Sequence, residues 1–217
     1  MKKRLSTLLI GISFVSVTAF ASSDSLRINF DDMKSGEKPN GWKVDATHGG
    51  NQLAEWSVVP DSDAPSQPNV LALTKPHESE FNLFWTDSIH FKDGALEVKI
   101  RADRGKEDQG GGLIWRALDA NNYYVTRYNP LEKNLRLYYV KQGKRVQLAD
   151  VKADIKSGEW FKITVSHQAE MIAVFLNGQK VMQVQDGNLL AAGGVGFWTK
   201  ADAASSFDDF SITVPST

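Results

Sequence analysis

The groups best suited to chemistry are concentrated in residues 105–129, GKEDQGGGLIWRALDANNYYVTRYN. Gly110-Gly111-Gly112 leads into Leu113-Ile114-Trp115-Arg116, and Asp119-Ala120-Asn121-Asn122 leads into residues 123–128. Turn residues of this kind between β-rich runs predict an antiparallel hairpin. Sugars are held by rings that stack on their C–H faces and by forked donors that take hydroxyls. The hairpin carries both kinds of group, and the candidate ligand contacts are Trp85, Arg116, Tyr124, Arg127 and Trp198. The competing reading makes Trp115, Tyr123 and Trp198 ordinary core aromatics. Parity leaves open whether Ile114 or Trp115 faces the core, and therefore where Arg116 points. Arg116, Arg127 and Lys200 are harder to place inside, because buried strands rarely carry unpaired cations.

The elements that position these groups are strands. Residues 95–102 alternate strictly, with Leu96, Val98, Ile100 and Ala102 on one face and Glu97, Lys99 and Arg101 on the other. Further strands are expected over residues 26–31, 55–59, 69–74, 81–86, 134–140, 144–148, 159–166, 171–176, 179–184, 194–199 and 207–214. Gln142-Gly143 and Asn177-Gly178 punctuate them as hairpin turns. About a dozen short strands with no amphipathic helix predict an all-β jelly-roll sandwich of two antiparallel sheets. The triple glycine precedes a strand and lacks a Gly-Lys-Ser/Thr ending, so it reads as a bulge or close backbone approach and not as a phosphate loop.

Lys2, Lys3 and Arg4 precede an apolar run at residues 5–20, and Ala19-Phe20-Ala21 offers small residues to a signal peptidase. The run is short for a membrane span. Cleavage is expected after Ala21, leaving residues 22–217 as one secreted or periplasmic domain with no membrane insertion. A retained N-terminal anchor is the alternative. Without the leader, 22 basic residues face 26 acidic ones, a net charge of −4, which gives no reason to bind nucleic acid. There is no cysteine, so no disulfide framework exists and a zinc site is disfavoured, the four histidines lacking metal-ligand spacing.

Phe30-Asp31-Asp32, Pro39-Asn40-Gly41-Trp42, residues 108–116, Asn122-Tyr123-Tyr124, residues 194–202 and Phe207-Asp208-Asp209-Phe210 together resemble the concanavalin-A-like (lectin/glucanase, laminin-G-like) sandwich domains of bacterial secreted proteins. These are related to 3-keto-disaccharide hydrolase-like domains and, more remotely, to laminarinase-type glycoside hydrolases. The resemblance spans the chain after the leader. A laminarinase-type retaining enzyme carries Glu-x-Asp-x-(x)-Glu on one strand, placing two carboxylates about 5–5.5 Å apart across the scissile bond. That pattern is absent here, and the nearest approach is Glu78-Ser79-Glu80. The leading expectation is therefore a non-catalytic domain binding a polysaccharide or cell-envelope glycan on its concave sheet. The resemblance also allows a hydrolase acting on a (3-keto-)glycoside, with Glu107, Asp108 or Asp119 as acid/base, or a laminin-G-like protein-interaction module. Asp208 shares parity with Phe210, Ile212 and Val214, and an inward carboxylate needs a cation. A salt bridge, for example to Arg27 or a lysine, is one solution. The other is structural calcium (Ca2+), which the resemblance places at Asp208 with Asp31 or Asp32.

Overall fold

The alternation of residues 95–102 translates directly into burial: Leu96, Val98 and Ile100 are fully buried while their neighbours face out. Each such side chain contributes roughly 1.5–3 kcal/mol by leaving water. The computed structural model describes residues 23–49, 52–77 and 81–215. Fifteen strands follow one another there: β1 (Ser23–Ile28), β2 (Lys43–Thr47), β3 (Glu55–Pro60), β4 (Asn69–Lys75), β5 (Phe81–Phe91), β6 (Gly94–Arg104), β7 (Gly111–Asp119), β8 (Asn122–Asn129), β9 (Asn134–Lys141), β10 (Lys144–Lys152), β11 (Trp160–Gln168), β12 (Met171–Leu176), β13 (Gln179–Gln185), β14 (Gly193–Lys200) and β15 (Ala204–Pro215). The leader and Glu78-Ser79-Glu80 lie outside the described residues. No helix among the described residues is long and apolar enough to cross a membrane.

The strands form two antiparallel sheets. The first runs β13-β12-β11-β6-β15-β4-β3, with β1 also paired to β15, and the second runs β10-β9-β8-β7-β14-β5-β2. This is the jelly-roll sandwich, concanavalin-A-like in outline. Its core meets between the sheets, where Trp56, Val98, Phe161 and Phe207 face Phe84, Trp115, Tyr124 and Phe197. Trp42, in the turn before β2, stacks on Phe84 at 5.2 Å and on Phe197 at 5.3 Å. β2 is an addition to the expected set of strands, and β5 runs five residues beyond its expected end.

The second sheet is buried on both faces. Phe81, Leu83, Trp85, Ile114, Tyr123, Val125, Tyr138, Val140 and Trp198 project away from the main core and form a second apolar cluster. The sheet closes over them by curling until one edge meets the hairpin ends. Thr47, at the end of β2, donates to the Ala120 carbonyl at 2.7 Å and bonds the Tyr123 hydroxyl at 2.7 Å. His48 takes its next contacts from Asn121 Oδ1 at 3.0 Å and the Gly143 carbonyl at 3.1 Å. Gly143 is required at this closure, since its φ is 76° and a Cβ there would lie 2.0 Å from the His48 ring.

Candidate functional site

The curl decides where the anticipated ligand contacts lie. Trp85 and Trp198 are 3% and 1% exposed within the second cluster. Lys43 covers the Trp85 ring at 4.2 Å, and Trp198 packs on Phe81 at 5.1 Å. Tyr124 points between the sheets, stacks on Trp115 at 5.6 Å and donates to Asp186. Arg127 is held by Asn134 at 2.6 Å and Glu132 at 2.7 Å. Arg116 takes neither face that parity offered. Its φ of 47° and a break in the β7–β8 register swing it to the end of the sandwich. The expectation of an open concave groove floored by these five side chains is corrected on this point: all five are buried against the protein's own partners.

The three candidate carboxylates separate as well. Glu107 is exposed in a loop and Asp119 is exposed at the end of β7, where it accepts from Asn121 N and Asn122 Nδ2 to shape the following turn. Asp108 is 4% exposed and fully engaged, with Asn129 Nδ2 at 2.7 Å and Gln109 N at 2.9 Å on one oxygen and Lys200 Nζ at 3.1 Å from the other.

A cavity of about 460 Å³ opens beside this pair, at the mouth of the curled sheet, lined by Phe81, Gly143, Lys144, Arg145 and Lys200. Arg145 dominates it. Its guanidinium sits 4.5 Å from the Tyr138 ring, 4.8 Å from Phe81 and 5.9 Å from Trp198. Rings offer a cation their negative faces, so this box fixes the guanidinium without neutralising it. Tyr138 in turn lies 3.4 Å from Arg127 Nη2. The mouth thus joins Trp198, Arg127 and Asp108, which the sequence singles out, to Arg145, Lys144, Tyr138 and Phe81, which it does not. One signal was present: Arg145 stands opposite the wholly buried Val140 across the β9–β10 hairpin, a place where a charge needs a reason.

The corner around Asp208 does not fit calcium. A bulge with Asp209 at φ 50° puts both Phe207 and Phe210 in the core and breaks the parity argument. Asp208 pairs in register with outward Lys99 and is buried under the loop before β4, where Ser66 N donates at 2.8 Å and Ser66 Oγ at 3.1 Å. Asp31 accepts from Asn29 Nδ2 at 2.6 Å and Asn69 N at 3.2 Å, and Asp32 is exposed. Among the described residues no three acidic or histidine side chains converge. The cations at this corner, Arg27 and Lys99, both pair with Asp209.

Two buried groups make stability depend on pH in opposite senses. Burial pushes the Asp208 carboxyl up to about 6. The stabilisation from its protonated form is complete below the ordinary carboxylate value near 3.9 and is lost as pH rises through 6. His167, wholly buried and accepting from Trp115 Nε1 at 2.9 Å, is pushed down to about 4 by burial and then by the Arg116 charge. Its contribution is complete above about 6.5 and is lost as pH falls toward 4. Between pH 4 and 6 the two slopes offset each other. Asp208→Asn is therefore expected to expose the His167 slope, so that stability by urea unfolding declines from pH 6.5 to 4 more steeply than in wild type. An unchanged profile would rule out this pairing.

The family model described as the 3-keto-alpha-glucoside-1,2-lyase-like domain matches residues 29–213. The chain belongs to this family. Among solved structures, the chain is similar to a carbohydrate-binding module, CBM66, from Bacillus subtilis, with a TM-score of 0.63 at 16% identity over 79% of this chain and 95% of that one. A Bacillus licheniformis beta-glucanase gives a TM-score of 0.59 at 12% identity over 88% and 98%. A cellulose-induced protein gives 0.61 at 17% identity over 86% and 96%. At these identities the likeness is one of fold: the chain shares its sandwich with a carbohydrate-binding module and a beta-glucanase. Comparison with curated protein sequences gives no match.

Proposed function

We propose that this is an exported, non-catalytic glycan-recognition domain whose ligand sits at the mouth of the curled sheet. The observation that carries the reading is the cavity lined by Phe81, Lys144, Arg145 and Lys200, with Arg145 preorganised in its aromatic box. Its size falls within the range of small-ligand sites, and its donors suit hydroxyl and acid oxygens. Export rests on the leader, with cleavage after Ala21. The non-catalytic reading is supported by the lining, which carries no carboxylate. Asp108 stands behind it with both oxygens engaged. The experiment is affinity electrophoresis of the protein in gels containing a range of plant, algal and bacterial polysaccharides. Retardation by at least one polysaccharide, weakened by Lys144→Ala on the exposed rim, is the expected result. Uniform mobility in every gel would contradict it.

The Asp108–Lys200 pair at 3.1 Å favours one second reading. The family's description names elimination from 3-keto-α-glucosides. In such a sugar the C3 ketone acidifies the C2 proton. A base takes that proton, the C1–O bond to the aglycone breaks, C1=C2 forms in conjugation with the ketone, and a proton passes to the departing oxygen. Asp108 would be the base and Lys200 would steady the enolate oxygen. A conjugated-enone absorbance growing with enzyme concentration and abolished by Asp108→Asn would support this reading. No absorbance change at high enzyme concentration would exclude it.

A further inference from the structure

We infer that the sugar recognised at the mouth is an acidic one, its carboxylate or sulfate received by Arg145 with Lys144 and Lys200. This rests on the proposed glycan reading and names the ligand class for that site. The other arginines among the described residues are each paired or hydrogen-bonded. Arg27 pairs with Asp209, Arg101 with Asp61 and Asp103, Arg116 with Asp93, Arg127 with Glu132, and Arg136 with Glu132 and Asp150. Arg104 donates to the Thr74 carbonyl at 2.7 Å. Arg145 alone has neither an ion pair nor a hydrogen bond, and its Nη1 is buried without a partner.

The Arg145 Nε and Nη2 also lack a protein acceptor but are not closed off as Nη1 is, so they are free to pair with an anion in the cavity. The fork matches the two oxygens of a carboxylate or sulfate. Lys144 has no carboxylate partner either, so two uncompensated cations face one cavity in a chain that carries a net negative charge. A cavity on the outer face of the first sheet provides the contrast. Around Trp160 it is lined by Lys99 and Lys162, and both are neutralised, by Asp209 at 2.8 Å and Glu97 at 3.2 Å. Both cations of that cavity are compensated; at the mouth Lys200 is paired with Asp108 at 3.1 Å, whereas Arg145 and Lys144 have no carboxylate partner.

The test is isothermal titration with matched pairs of oligosaccharides that differ only in charge: oligogalacturonate against its methyl ester, and a sulfated galactan fragment against its desulfated form. The expected result is tighter binding of a charged member by about ten- to a hundredfold, falling as salt is raised. Arg145→Gln, confirmed folded by its circular dichroism, should remove most of that preference. Lys144→Ala, at an exposed side chain, should lower it several-fold and covers the case in which the arginine variant does not fold. Equal or better binding of the neutral members, still sensitive to Lys144→Ala, would overturn the acidic-sugar inference while leaving the glycan site standing. No binding by any member would overturn the inference, and if polysaccharide gels also fail to retard the protein, the glycan reading falls with it.

Discussion

Arg116→Ala is expected to lower the free energy of unfolding by about 3–5 kcal/mol, the usual cost of breaking a buried, hydrogen-bonded charge. The guanidinium is 0% exposed. Its Nε donates to Lys92 O, its Nη1 to Leu189 O and its Nη2 to Ala169 O, each at 2.9 Å, with Asp93 at 3.3 Å. These acceptors belong to the β5–β6 turn, the β11–β12 turn and the loop between β13 and β14, so one side chain ties three connections to the end of the sandwich. Burial lowers the proton affinity of the guanidinium and Asp93 restores part of it, as expected for a charge held inside by acceptors. Alanine would leave three carbonyls and a carboxylate without their donor. Against a total stability of about 5–15 kcal/mol for a domain of this kind, the loss would be visible in any urea titration followed by circular dichroism. A change below about 1 kcal/mol would mean that Arg116 is not the clamp described here.

Trp198→Ala is expected to have a similar effect, about 3–5 kcal/mol, by a different route. The indole fills the space between Phe81 and the Arg145 guanidinium, and its Nε1 lies 3.3 Å from the Tyr123 hydroxyl. That hydroxyl also meets Thr47, so the indole supports the contact by which the sheet closes on itself. Alanine would leave a cavity under the mouth and free Arg145 from one of its rings. Thermal unfolding should shift down by several degrees, and Trp198→Phe should recover much of the loss. A variant as stable as wild type would show that the second cluster does not hold the curl.

Much of the fold was legible because period-two alternation and hairpin turns are local signals. Residues 95–102 and the turns at Gln142-Gly143 and Asn177-Gly178 specify strand, face and connection without reference to the rest of the chain. The site was less legible because it depends on departures from that local rule. Arg116 and Asp209 adopt positive φ at register breaks, and each break moves a side chain off the face that parity assigns it. β2 escaped notice since Lys43-Val44-Asp45-Ala46-Thr47 is short and weakly apolar, yet it carries the contact that closes the second sheet. That closure turns Trp85 and Trp198 from exposed platforms into core and brings Arg145 over Phe81, from strands on opposite sides of the sheet. Contacts between sheet corners leave no periodic trace in a sequence. The composition of the hairpin was a sound guide to sugar chemistry but not to which rings face solvent.

The central claim is that ligand binds at the mouth of the second sheet, and the indole N–H resonances of the six tryptophans test it directly. During titration with a glycan that retards the protein, the account predicts that the Trp198 resonance shifts together with the Arg145 side chain, while Trp160, on the outer face of the first sheet, stays in place. Movement of Trp160 with Trp198 unchanged would place the ligand on the opposite face and contradict the account.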